Sequence, residues 1–192
     1  MINVLKDKKI LIGITGGIAA YRICSMINKL KKGGSIIKVI MTDAATKFVS
    51  PMTFQSLTNH PVHINTFDSN NKSDIEHINL ADWCDLFLLA PATYNTINKI
   101  ANGIADNLLT TVIAAIPSQT PVLIAPAMNC HMWENLIIKE NIKRLEKIRI
   151  NSKLKKYYFV APRRGQLACG YEGEGVLETS DIIIKEITKI LH

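Results

Sequence analysis

The sequence is poor in aromatic residues, which make up 6% of its 192 positions. A core built from it must rest on Ile, Leu, Val and Ala. Its four cysteines (Cys24, Cys84, Cys130 and Cys169) are scattered and form no CxxC pair. That spacing gives neither a disulfide scaffold nor a zinc ligand set, so reduced thiols in a cytoplasmic protein without a metal are expected. Low-complexity tracts, long repeats and linkers are lacking too, which leaves residues 1–192 to a single domain. Asp, Glu, Lys and Arg are all absent from residue 107 to residue 133. This stretch is long enough to span a bilayer, but Pro117, Pro121 and Pro126 would break a helix there. A helix, a turn and a buried strand fit it better, and no membrane partner is expected. The apolar segment 10–20, which follows Lys8 and Lys9, is interrupted by Gly13, Gly16 and Gly17 and continues in helical spacing. It therefore reads as folded structure and not as a leader.

The charge that is present is unevenly placed. The net charge is +7, yet residues 139–164 alone hold ten Lys and Arg against Glu140 and Glu146. The remainder is close to neutral. Without interleaved aromatics or a basic recognition motif, this segment reads as a solvated basic face, and no nucleic-acid partner is expected.

Short continuous apolar runs alternate with helical periods, the pattern of a parallel sheet covered on both faces. Strands are expected at 9–14, 36–41, 86–90, 122–125 and 158–161. Helices are expected at 18–32, in pieces over 44–57 broken at Pro51, and at 93–102, 106–116, 134–148 and 182–191. Residues 67–74 read as a polar loop. The fold class is α/β, a single doubly wound parallel sheet with helices on both faces.

Three expected strands end in Ala-Pro: Ala90-Pro91, Ala125-Pro126 and Ala161-Pro162. Proline removes a ladder donor and marks where a strand leaves the sheet. Two of these ends continue as Pro91-Ala92-Thr93-Tyr94-Asn95 and Pro126-Ala127-Met128-Asn129. Small residues there let a flat ring approach the backbone, and the Asn amides supply donors and acceptors. The first turn, Gly13-Ile14-Thr15-Gly16-Gly17-Ile18, opens a helix and can offer N–H groups to a phosphate. It does not match G-x-G-x-x-G, and the Thr42 and Thr46 hydroxyls suit a terminal phosphate monoester. Together these features point to a mononucleotide such as FMN rather than to NAD.

Pro126-Ala127-Met128-Asn129-Cys130-His131-Met132-Trp133 matches the P-x-M-N-x-x-M-W motif of the flavin-dependent cysteine decarboxylases. Pro91-Ala92-Thr93-Tyr94-Asn95-Thr96 is similar to a second segment of that family, and Ile75-Glu76-His77-Ile78 places a histidine where the family has its active-site histidine. Leu167-Ala168-Cys169-Gly170, followed by Gly173 and Gly175, resembles the substrate flap of the phosphopantothenoylcysteine decarboxylases. Two residues depart from the pattern: Tyr171 stands where Asp is usual, and Val176 where bacterial members often have Arg. The resemblance runs from Lys9 to about Leu177 and implies a flavodoxin-like fold in a homotrimer, often assembled into dodecamers, with FMN between subunits. It implies conversion of 4′-phosphopantothenoylcysteine to 4′-phosphopantetheine in coenzyme A biosynthesis, beside a phosphopantothenate–cysteine ligase that is fused or separate. The chain's end at His192, just after its last helix, resembles the stand-alone enzymes.

Carried over residue by residue, the resemblance implies His77, Asn129 and Cys169 as catalytic. Gly16, Gly17, Thr42, Thr46, Pro91, Ala92, Thr93, Tyr94 and Ala127 would hold FMN. Asn129, Met128, Ala168 and Gly170 would meet the substrate. Cys169 would protonate the enethiolate formed on decarboxylation. Two other readings belong to the same resemblance. One is a peptidyl-cysteine decarboxylase of the epidermin type, favoured by Ile97-Asn98-Lys99-Ile100-Ala101-Asn102-Gly103 and opposed by Cys169. The other is a non-catalytic flavin-binding regulator, opposed by the retention of His77, Asn129 and Cys169 together.

Overall fold

The five residues after Lys9 are apolar or glycine, and all five are buried; they form β1 (Lys9–Ile14). Side chains alternate across a strand, so this one strand feeds two cores. Ile10, Ile12 and Ile14 pack with Ile23, Met26 and Leu30, while Leu11 packs with Phe87, Leu89 and Leu109 on the opposite face. Residues 4–66, 76–152 and 154–192 of this computed structural model are described below. The polar loop expected at 67–74 lies outside the described residues.

Beside β1 lie β2 (Ile36–Met41) and β3 (Val62–His63) on one side. On the other side are β4 (Leu86–Ala92), β5 (Val122–Pro126) and β6 (Tyr157–Phe159). The order is β3-β2-β1-β4-β5-β6 and every pairing is parallel. The chain moves outward from β1 to β3, then returns to β1's other edge at β4, which makes β1/β4 the switch point where an open α/β sheet binds ligands.

A 3-10 turn (Ile18–Tyr21) runs into α1 (Arg22–Lys32), whose buried stripe is Ile23, Met26, Ile27 and Leu30. After β2 come α2 (Asp43–Thr46) and α3 (Pro51–Thr58), with Pro51 at the first position of α3, where its missing N–H costs nothing. Next are α4 (Glu76–Trp83), α5 (Tyr94–Ala101) and α6 (Leu108–Ala115). Asn107 caps α6 in a reciprocal capping box with Thr110. The helix expected at 134–148 is two helices, α7 (Cys130–Glu134) and α8 (Leu136–Glu146). Asn135 divides them, its carbonyl oxygen accepting from Ile137 N–H to cap the second. The chain closes with α9 (Ser180–Leu191), packed on α1 through Ile183 and Ile187. Among the described residues no helix is long and apolar enough to cross a membrane.

Three expectations need correction. One Ala-Pro step does not end its strand: β4 runs through Pro91 to Ala92, whereas β5 does end at Ala125-Pro126. The ladder tolerates Pro91 because pairing with β5 shifts register between Leu89 and Ala92, and the Pro91 carbonyl is taken by Thr15. The third, Ala161-Pro162, lies beyond β6 and outside the sheet. Finally, the basic segment is not wholly solvated, because Lys156 is only 8% exposed. Its ammonium donates to the carbonyls of Pro117 (2.6 Å) and Thr120 (2.7 Å), gathering the turn that follows α6.

Burial pushes the Lys156 ammonium down to about 8, against about 10.4 for a solvated lysine. The unfolded chain therefore keeps this proton to higher pH than the folded one. Stability from this group rises as pH climbs from about 8 to about 10.4 and is flat below that window. Urea unfolding across the window should show the rise in the native chain and its loss in Lys156→Met. Equal slopes in the two proteins would remove Lys156 as the source.

Candidate active site

The loops after β1, β2, β4 and β5 converge on a cavity of about 970 Å³ at the carboxyl edge of the sheet, a size suited to a cofactor-sized ligand. One buried hydroxyl ties the floor together. Thr15 Oγ1 donates to the Pro91 carbonyl at 2.5 Å and accepts from the Thr93 N–H at 3.0 Å, joining the ends of β1 and β4. Gly16 is held by close packing, since a Cβ there would lie 2.5 Å from Ala44 Cβ. At Gly17 a Cβ would meet only Thr93 Cγ2, at 3.9 Å, so the backbone of this turn lies open to the cavity.

Of the residues expected to hold a cofactor, Gly16, Gly17, Thr42, Thr93, Tyr94 and Ala127 line the cavity. Thr42 caps α2 by accepting from Ala45 N–H at 3.3 Å, which leaves its O–H free to donate into the cavity. Thr46 does not line it; its hydroxyl donates to the Asp43 carbonyl at 2.7 Å. Pro91 and Ala92 are buried in β4 and support the floor from behind. Sequence reasoning missed Arg22 and Asp43, which are the charged residues among those that line the cavity, and the amide of Asn107, whereas the Asn95 amide lines it as expected. The turn before Arg22 had been read for its backbone alone, although a cation one helical turn beyond a phosphate loop was the available signal.

The opposite wall is the Gly-rich segment, expected as a mobile flap. Most of it is an antiparallel hairpin, β7 (Arg163–Gln166) and β8 (Glu172–Val176). The hairpin sits on the α7 end of the site through Gly175. Met128 N–H donates to the Gly175 carbonyl at 3.0 Å, and a Cβ at Gly175 would lie 2.1 Å from the Met128 oxygen. With φ at +151°, this position is doubly closed to other residues. Trp133 Nε1 donates to Glu174 Oε2 at 3.1 Å and adds a second attachment.

This docking brings two expected catalytic residues together. Asn129 precedes α7, and its Oδ1 accepts from His131 N–H at 2.8 Å. Its Nδ2 is thereby directed to Cys169 Sγ, 3.1 Å away. The Cys169 thiol is held below its ordinary pKa by the Tyr171 backbone N–H and, to a lesser degree, by the Asn129 amide. Both hydrogen bonds favour the thiolate. Two other cysteines differ: burial pushes the Cys84 thiol up to about 12 and also raises that of Cys24. Met128 and Ala168 line the cavity with this pair, whereas Gly170 is at the hairpin turn (φ +88°) and does not.

His77 does not join them. It is half-buried in the first turn of α4 and does not line this chain's cavity. The residue before it, Glu76, is buried and paired through Oε1 with His63 Nδ1 on β3. His63 had no motif behind it, and only the folding of β3 against the start of α4 shows the contact.

A switch-point cavity with open glycine backbone, hydroxyls and small strand ends defines a nucleotide-binding α/β protein. A model of the flavoprotein family matches residues 3–192, and the chain belongs to that family, so its cofactor is a flavin. The chain is 47% identical over 181 residues to the coenzyme A biosynthesis bifunctional protein CoaBC of Bacillus subtilis, covering 94% of this chain and 42% of that protein. It thus spans less than half of that relative. It is 42% identical over 184 residues to the probable phosphopantothenoylcysteine decarboxylase of Streptococcus mutans, covering 96% of this chain and 99% of that one. Among solved structures, the FMN-dependent cysteine decarboxylase SpaF superposes with a TM-score of 0.80 at 25% identity, over 97% of each chain.

Proposed function

We propose that this flavoprotein uses FMN to decarboxylate 4′-phosphopantothenoylcysteine to 4′-phosphopantetheine. The observation that carries the reading is the Asn129–Cys169 pair at 3.1 Å on the wall of the flavin-sized cavity. Similarity to the Streptococcus mutans protein along nearly its whole length supports the substrate. A ligase joining cysteine to phosphopantothenate is the partner activity that supplies it.

The residues present fit FMN. The Gly17 backbone is uncovered, the Thr42 hydroxyl keeps its proton to donate, and Arg22 brings a positive charge to the same cavity for a phosphate. Bound FMN would supply a hydride acceptor and, later, a hydride donor. The protein's share is orientation and proton transfer. A cysteine carboxylate has no sink for the electron pair left behind by carbon dioxide. Oxidation of the thiol-bearing carbon to a thioaldehyde places C=S beside the carbon that bears the carboxylate, and decarboxylation then gives an enethiolate. Asn129 Nδ2 donates to the carboxylate and fixes it. Cys169 delivers a proton to the carbon that has lost carbon dioxide, which leaves the neighbouring carbon as the place where a bound flavin would supply its hydride.

In this reading His77 belongs to the site of an adjacent copy in a trimer or a multiple of three. Its absence from its own chain's cavity supports this, as do the exposed apolar residues Leu136 (78%), Ile137 (60%) and Met52 (63%). Sedimentation should find such an assembly, and an active monomer would contradict it.

The deciding experiment gives the flavin-loaded protein synthetic 4′-phosphopantothenoylcysteine and, separately, a peptide ending in cysteine, and weighs the products. Loss of carbon dioxide alone from the first substrate is expected. Turnover of the peptide only, with loss of carbon dioxide and two hydrogens, would replace this reading by a peptidyl-cysteine decarboxylase.

A further inference from the structure

Two side chains outside the expected catalytic set meet above the Asn129–Cys169 pair. The His131 ring on α7 and the Tyr171 ring at the tip of the hairpin stand edge to face, with centroids 5.3 Å apart and planes at 70°. Each residue also uses its backbone on one member of the pair. His131 N–H donates to Asn129 Oδ1, and Tyr171 N–H approaches the Cys169 sulfur. The contacts therefore close a circuit: His131 to Asn129, Asn129 to Cys169, Cys169 to Tyr171, and Tyr171 back to His131 through the rings. Three of its four links are polar contacts at the site itself. The ring contact is the only one made outside it, and it joins α7 to the flap tip where the chain is otherwise exposed, with Tyr171 54% accessible.

We propose that His131 and Tyr171 are a positioning pair, whose ring contact sets the register of the flap so that the Cys169 thiol meets the Asn129 amide. This rests on the reading of Cys169 as proton donor for its catalytic consequence, but not for its geometry. The bonds at Gly175 and Glu174, and the close packing of Gly173 on Cys130, hold the far strand of the hairpin beside α7, yet all three stop short of the turn at 167–171. The turn at 167–171 has its own bonds, Leu167 N–H to the Tyr171 carbonyl (2.8 Å) and Gly170 N–H to the Leu167 carbonyl (2.9 Å). These keep its shape without fixing where it rests. An edge-to-face aromatic contact is directional enough to do so.

The ionisable side chains around the tip are His131 on α7, Arg164 on β7, and Glu172 and Glu174 on β8. Arg164 is paired with Glu172 at 3.4 Å, and Glu174 accepts from Trp133. The variants below change His131 and the Tyr171 phenol, and a phenylalanine in either place separates ring packing from ionisation.

The test is the pH dependence of Cys169 alkylation by iodoacetamide in the FMN-loaded protein, followed by mass spectrometry of the Cys169 peptide. In the native protein the midpoint should lie below that of a free cysteine. In His131→Ala and in Tyr171→Ala it should move up by the part that the Asn129 amide contributes, while the Tyr171 backbone N–H keeps its share. Tyr171→Phe and His131→Phe, which keep a ring, should restore it. The double alanine variant should move no further than either single one, because both remove the same contact. With 4′-phosphopantothenoylcysteine, each alanine variant should raise the ratio of oxidised to reduced product about tenfold. An unchanged midpoint in both alanine variants overturns the proposal, and so does a shift in one alone. If Cys169→Ser proves that this thiol is not the proton donor, the alkylation midpoints still decide whether the pair positions it.

Discussion

Asn129→Asp should abolish carbon dioxide release while the flavin stays bound. Asp is as good a helix cap as Asn, and the retained Oδ1 can still accept from His131 N–H, as it does now at 2.8 Å. The backbone of the site is therefore kept. What changes is the atom that donates to Cys169 at 3.1 Å and faces the cavity, which becomes a carboxylate oxygen. A negative oxygen now meets the substrate carboxylate where a donor stood, in a recess partly shielded from water. Loss of one such donor from a preorganised site costs about 10²–10³-fold in rate, and the added repulsion deepens it. Labelled carbon dioxide trapped from carboxyl-labelled substrate measures this directly. Release at the native rate would remove Asn129 from the mechanism.

Cys169→Ser should have an equally large effect, but on the second half of the reaction only. Carbon dioxide should still leave, since the groups that act on the carboxylate are untouched. Serine is nearly the same size, yet its hydroxyl is a far weaker acid than a thiol already lowered by the Tyr171 N–H and the Asn129 amide. The product should accumulate as the unsaturated enethiol, two hydrogens short of 4′-phosphopantetheine. Fully reduced product at the native rate would make Cys169 a structural flap residue and would strengthen the peptide-decarboxylase reading.

The parts of this molecule legible in its sequence are those where one segment determines its own outcome. β1, β2, β4 and β5 were readable because strands buried on both faces are continuous apolar runs. β3 was missed because two half-buried residues, Val62 and His63, make no pattern at all. The hairpin was missed as a sheet because three of its nine strand residues are glycine and its register shifts beside Arg163. Motifs located Asn129 and Cys169, but not which atom of Asn129 faces the thiol; that depends on His131 N–H occupying the other one. Thr15 and the His131–Tyr171 contact were invisible for the same reason. Each acquires its role from a residue brought up by another part of the chain.

Thr15 carries that point into time. Its hydroxyl bridges Pro91 and Thr93, 76 and 78 residues away, so the floor of the cavity is a long-range object. Contacts of such separation are among the last that a chain can afford entropically. The first strand and turn can be synthesised and even locally shaped long before there is anything for a flavin to rest on. Until the ends of β1 and β4 meet, the floor on which a flavin would rest is not assembled.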